Sequence, residues 1–169
     1  MGLPFKLKNH NVFANGKSWV GLVPEIQLPK LAKKVEQYRG GGMLGELDVE
    51  MGLEKLEAEI KLGGLVRQSL SMFGAIGIEG VMLRFVGAYQ ADDTGGVMAS
   101  EMVMGGMFTE IDPGSAKVGD NTEMPIKATL NYLKWSINGR TDVEIDMLRC
   151  VWIQNGIDRM AAIRAAIQA

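Results

Sequence analysis

Asp48, Glu50, Glu57 and Glu59 are the carboxylates whose spacing first invites a chemical reading. Close carboxylates can serve as a glycosidase acid and nucleophile, or as oxygen ligands for calcium. A glycosidase pair, however, needs one acid with a raised pKa in a cleft. Here the acids alternate with apolar residues, the pattern of a solvated strand face. Cys150 is the only cysteine, and it lies among Val151 and Trp152 with Arg149 as its one basic neighbour. A reactive thiolate needs an electropositive, accessible setting, so Cys150 reads as a buried, inert thiol. His10 is the only histidine, in Lys8-Asn9-His10-Asn11, and reads as a surface residue with no apolar scaffold to hold it as a base. One cysteine and one histidine build neither an intrachain disulfide nor a Cys/His zinc cluster.

Two glycine clusters could cradle phosphate. Gly40-Gly41-Gly42 lacks the Gly-Lys-Ser/Thr ending of a P-loop, and Gly74, Gly77 and Gly80 lack the spacing of a dinucleotide fingerprint. The sequence therefore offers no catalytic set, cofactor site or metal site. The expectation is that the chain is not an enzyme.

The elements around these residues are mostly strands. Asn15-Gly16 supplies the positive φ angles of a tight hairpin between Val12-Phe13 and Trp19-Val20. Short strands are expected from Val23 to Leu28, where Pro29 intervenes, and from Leu31 to Tyr38. Leu47, Val49, Met51 and Leu53 then alternate with polar residues or glycine. Leu56, Ala58, Ile60 and Leu62 repeat the pattern, so the two runs are read as neighbouring strands with acidic outer faces. Leu65, Ser69, Met72 and Phe73 share a face at helical spacing, which predicts one short helix ended by Gly74. Strands follow over Val81 to Gln90 and Met98 to Ile111, the latter with mid-strand glycines suited to a bulge. From Met124 to Tyr132 the even positions are apolar, whereas Leu133, Trp135 and Ile137 are odd. Such a face switch predicts a β-bulge near Tyr132. Asn138-Gly139 turns the chain into Val143 to Ile145, Val151 to Ile153 extends the sheet, and an alanine-rich tail from Asp158 is predicted helical.

The 169 residues are read as a single domain, 1–169. The composition is 47% hydrophobic and 22% charged, close to a globular average, so disorder and fibrous classes are excluded. A net charge of -2 argues against tight nucleic-acid binding. No apolar run approaches the ~20 residues of a spanning helix, and no signal peptide is visible, so a soluble protein without membrane insertion is expected. Twelve methionines suit irregular core gaps or adaptable subunit contacts.

Leu28-Pro29-Lys30-Leu31, followed by Lys34, Glu36 and Tyr38 and then Arg39-Gly40-Gly41-Gly42-Met43, carries a family resemblance. Further matches are Met51-Gly52-Leu53-Glu54, Glu110-Ile111-Asp112-Pro113-Gly114 with Lys117 and Gly119, Val143-Glu144-Ile145-Asp146, and Asn155-Gly156-Ile157-Asp158-Arg159. Together they resemble the major tail tube proteins of contractile-tailed bacteriophages and the related tubes of R-type bacteriocins. Asn131-Tyr132-Leu133-Lys134-Trp135 follows the family's aromatic-Lys pattern only loosely. The resemblance implies a mainly β fold with minor α, a β-sandwich or rolled β-barrel with one flanking helix. Six copies would form a ring whose strands join one intersubunit barrel. Rings would stack into a tube for DNA passage or membrane penetration, with sheath, baseplate and tail terminator proteins as partners. The place implied is the virion tail or bacteriocin particle, assembled in the bacterial host cytoplasm. Tubes of type VI-like or antifeeding-prophage systems are the alternative, and a carbohydrate-binding or hydrolytic β-sandwich a remote one.

Two sites are expected within that frame. Arg39, Gly40, Gly41, Gly42 and Met43 would contact an adjacent subunit, because a glycine run gains order when a partner supplies backbone contacts. Asp48, Glu50, Glu57 and Glu59 would face the lumen, where basic walls would trap DNA by counterion release.

Overall fold

The computed structural model describes residues 2–169. Their strands are β1 (Lys6–Ala14), β2 (Lys17–Ser18), β3 (Glu25–Gln27), β4 (Lys33–Tyr38), β5 (Leu47–Leu53), β6 (Leu56–Leu62), β7 (Val81–Gln90), β8 (Val97–Ile111), β9 (Met124–Ile137), β10 (Arg140–Asp146), β11 (Val151–Gln154) and β12 (Ile157–Asp158). Helix α1 (Arg67–Phe73) lies between β6 and β7, and α2 (Ala161–Ile167) follows β12.

Three Asn-Gly pairs make the tight turns. Asn15, Asn138 and Asn155 have φ of 47°, 49° and 53°, each followed by a glycine with positive φ. This is the turn geometry that matches strand twist. Each asparagine also continues the ladder to a third strand. Asn15 donates its amide to the Met82 carbonyl (2.8 Å), while its Oδ1 accepts the Met82 amide (2.9 Å). Asn138 does the same with Ala99, at 2.8 and 2.9 Å. Asn155 donates its amide to the Asp142 carbonyl (2.7 Å), and its Oδ1 accepts from the Arg140 guanidinium.

Ten strands form one antiparallel sheet along the path β12-β11-β10-β9-β8-β7-β1-β2, with β6 and β3 branching from β9. Strand β8 runs along one edge of β9, from Ser100 opposite Ile137 to Ile111 opposite Ile126. The other edge is divided: β6 takes Met124 to Leu130 and β10 takes Tyr132 to Ile137. The division falls at Asn131, which the β8 register skips, since Gly105 faces Tyr132 and Gly106 faces Leu130. This is the bulge that the face switch predicts. It lets Leu130 and Leu133 both point inward. The bulge also brings the backbones together, because a Cβ on Gly106 would lie 2.0 Å from the Thr129 carbonyl oxygen.

Both branches share one core. Leu56 and Ile60 of β6, Leu83 and Phe85 of β7, Met104 of β8, Ile126 and Leu133 of β9 and Ile145 of β10 are all fully buried within it. The sheet therefore rolls over on itself into the expected sandwich or rolled barrel, and α1 lies against β8 with Ser69 and Met72 inward.

Three expectations need correction. The acidic-faced runs are strands but not neighbours: β5 pairs only with β4, in a separate two-stranded sheet. Alternation reports which side chains share a face, not which strand lies alongside: β6 pairs with β9 along its length and with β3 at Glu59 to Lys61. The helix begins at Arg67, so Leu65 lies ahead of it, and both Leu65 and Phe73 are exposed rather than buried. His10 is half-buried, its ring stacked 5.8 Å from Phe85 and its Nε2 3.0 Å from the Val23 carbonyl oxygen.

Gly106→Ala tests the fork. A backbone oxygen cannot swing aside as a side chain can, so the loss should reach about 3 kcal/mol, the upper part of the overpacking range. It would be read as a lower urea midpoint or as no soluble protein.

Candidate assembly surface

The β4–β5 sheet is an arm. In an antiparallel pair, opposed residues lie on the same face. Tyr38 opposes Leu47 and Glu36 opposes Val49 on one side, while Gln37 opposes Asp48 and Val35 opposes Glu50 on the other. Tyr38, Leu47 and Val49 thus form an apolar strip, and all of them are exposed; Leu47 is 49% accessible and Tyr38 58%. Every residue of β4 is exposed. A two-stranded hairpin is at best marginal alone in water, so the strip is surface the isolated chain does not use.

The tip of the arm is the glycine segment. The Met43 amide donates to the Gly40 carbonyl (3.3 Å), and the Met43 sulfur accepts from the Gly40 amide (3.0 Å), closing a turn in which Gly42 has φ of 83°. Leu44, next in sequence, is fully exposed.

At the other end, Leu53 packs against the core cluster, and the space beside it is lined by Ile145 and Trp152. On the polar face, Arg159 donates to Glu50 Oε1 (3.0 Å) and Oε2 (3.2 Å). The same guanidinium stacks 3.7 Å over the Trp152 ring, and Lys33 lies 3.4 Å from Glu50. The Arg159 hydrogen bond holds the Glu50 carboxyl below its ordinary value of 4.5, against the opposing pull of desolvation.

The structure separates the four carboxylates proposed for the lumen. Asp48 and Glu50 ride on the arm; Glu57 and Glu59 sit on β6 in the main sheet. Glu57 pairs with Lys55 at 2.9 Å, and Glu59 opposes Lys127 across the β6–β9 ladder. Glu57 and Glu59 line a shallow groove with Lys30, Lys55 and Lys127, so this wall carries both signs. Arg39, Gly40, Gly41, Gly42 and Met43 do stand together, at the arm's tip. Sequence reasoning missed Lys33, Trp152 and Arg159. The last appears only as a family match, and nothing in the local pattern marks a cation that pairs with a residue so distant. Cys150 is half-buried at φ of 54°, its carbonyl accepting from Arg164 at 3.0 Å.

The chain is thus a rolled β domain that carries an exposed two-stranded arm with an apolar strip. The description "Phage tail tube protein FII" belongs to the family profile that matches residues 4–167. The tail tube protein of Escherichia phage P2 is 41% identical over 170 residues, covering 99% of each chain. The major tail tube protein of Serratia phage KSP20 is 36% identical over 158 residues, covering 92% of this chain and 91% of that one. Among solved structures, the sheath–tube complex of the extracellular contractile injection system PVC in its extended state contains a chain of like fold. That chain has a TM-score of 0.59 at 10% identity, over 79% of this chain and 91% of that chain. A chain of the PVC sheath/tube terminator gives 0.58 at 10% identity, over 79% and 96%. The chain belongs to the phage tail tube protein FII family.

Two outcomes follow from the arm's geometry. Leu47→Gln with Val49→Thr should leave the dilute subunit's urea stability within about 0.5 kcal/mol, since both side chains are exposed there and outside the core. Ile60→Ala, in the core, should cost roughly 2–5 kcal/mol. The depressed Glu50 pKa adds a pH signature, set by Arg159 and Lys33. A lowered carboxyl pKa gives its contribution above the unfolded value and loses it as pH falls through the folded one. Hydrogen exchange in the arm, corrected for intrinsic rate, should therefore rise only below pH 4.5.

Proposed function

We propose that this chain is the structural subunit of the inner tube of a contractile tail. Six copies close into a ring, rings stack, and the tube carries DNA or, in a headless particle, penetrates a membrane. The arm is the observation that carries this reading. A chain that leaves Tyr38, Leu47 and Val49 in water gains by laying them on another copy, and joining strands between copies removes sheet edges that would otherwise aggregate. Sheath, baseplate and terminator proteins are the partners of the finished tube, and assembly takes place in the host cytoplasm. The protein acts by shape and contact, without catalysis.

Arg39 to Met43 make the intersubunit contact at the arm's tip. Asp48, Glu50, Glu57 and Glu59 contribute to the lumen wall. The cations beside Glu50, Glu57 and Glu59 offset part of that charge, and the wall needs no strong net charge of its own. Duplex DNA carries one negative charge per ~1.7 Å, so the requirement is the absence of a strongly basic surface.

Negative-stain microscopy and sedimentation of the purified protein should show rings and tubes as concentration rises; monomer at every concentration would end the proposal. Replacing Gly40, Gly41 and Gly42 by alanine should hinder tube formation more than folding. Normal tubes would reduce the segment to a connector. Changing Asp48, Glu57 and Glu59 to lysine, with Glu50 kept for its pair with Arg159, should leave tubes intact and slow genome ejection, whereas an assembled structure with the four carboxylates outward would remove them from the lumen.

A further inference from the structure

Among the described residues, the arm makes one pair of side-chain hydrogen bonds to the body of the subunit: those from Arg159 to Glu50. The remaining attachments are packing at its root, around Leu53, and the Lys33 ammonium 5.9 Å over the Trp152 ring. Arg159 is itself firmly seated. Its amide donates to the Trp152 carbonyl (2.8 Å), its guanidinium lies on the Trp152 ring, and Trp152 is 6% exposed. The neighbouring Asp158 pairs with Arg164 of α2, which also holds the Cys150 carbonyl at 3.0 Å. Helix α2 buries none of its own residues, and by itself adds little to the core. Its contact through Arg164 instead fixes the segment from which Arg159 reaches out.

We infer that Arg159 is a positioning residue for assembly: seated on Trp152 and buttressed by α2, it grips Glu50 and sets the angle of the β4–β5 arm before a second copy arrives. The inference rests on the tube reading for its consequence, but not for the latch itself. Two features make the grip more than a surface ion pair. One guanidinium nitrogen, Nη2, donates to both carboxylate oxygens while the plane stacks on Trp152, which fixes direction as well as distance. Both side chains are only about a third accessible, 34% for Arg159 and 33% for Glu50. An arm already at its docking angle loses less conformational freedom on binding than a swinging one, so more of the contact energy remains for association. The strip on the opposite face stays uncovered because the polar face is the one turned to the body.

The test uses the full chain, with Arg159→Gln, Glu50→Gln and Arg159→Lys. Lysine retains the charge but lacks the planar fork, so it separates directional grip from simple attraction. Thermal melts establish that each variant is folded. Below the assembly concentration, hydrogen exchange in β4 and β5 should rise about five- to tenfold in all three variants, with β7, β8 and β9 unchanged, as expected when a stacked, charge-assisted contact is lost locally. At higher concentration, the concentration needed for tubes should rise by about the same factor. Unchanged exchange in the arm would overturn the latch. Raised exchange with an unaltered or lowered assembly threshold would overturn the positioning role. Wild-type protein that never assembles would instead refute the tube reading and the assembly consequence together, while the exchange result still decides the latch.

Discussion

A strand has two edges, and β9 divides one of its edges between two partners. Strand β8 occupies the whole of one side, so β6 and β10 must share the other, and Asn131 is the residue at which they part. Gly106 permits this because its missing side chain lets the backbones meet at the bulge. From the fork come both layers of the core: β6 with β3 on one branch, and β10 to β12 on the other. Strand β9 runs along one side of β6 and β3 pairs with Glu59 to Lys61 on the other, while the preceding strand does not join the main sheet. It turns away and pairs with β4. The arm thus stands apart from the sheet that closes the core.

The charges follow the same logic. Carboxylates that alternate along a strand look like a uniform stripe in one dimension, yet β5 and β6 belong to different sheets. Glu50 meets Arg159 and Lys33, and Glu57 meets Lys55, so ion pairs break the stripe. Most of these pairs are exposed and contribute little to stability. The Arg159 pair differs by lying on an indole and spanning two otherwise separate pieces of the fold.

Much of the fold was legible because period-two burial and Asn-Gly turns are local signals. Strand β7 ends at Gln90 as expected, Ile60 and Leu62 point inward, and the parity change after Tyr132 marks a bulge near that residue without knowledge of any partner strand. The segment Asn155-Gly156 carries the same turn signal as Asn15-Gly16 and makes the β11–β12 hairpin, which the expected strand pattern lacks. Partner choice was not legible, because pairing between β6 and β9 depends on residues far apart in the chain. The tip of the assembly surface was visible as a glycine run. Its root was hidden, since a cation on an aromatic ring has no periodicity to betray it. Likewise His10 looked solitary until Phe85 came alongside.

The ion pair at the arm's root joins residues 109 positions apart. During synthesis at ~5–20 residues per second, Glu50 therefore leaves the ribosome roughly 5–20 s before Arg159 does. The β4–β5 hairpin is a local structure that forms in microseconds. The nascent chain thus carries an arm that can form and reopen but not fasten for a period that is long on the timescale of folding, and chains truncated before Arg159 never fasten it. Order of translation, as well as order of packing, separates the making of the arm from its setting.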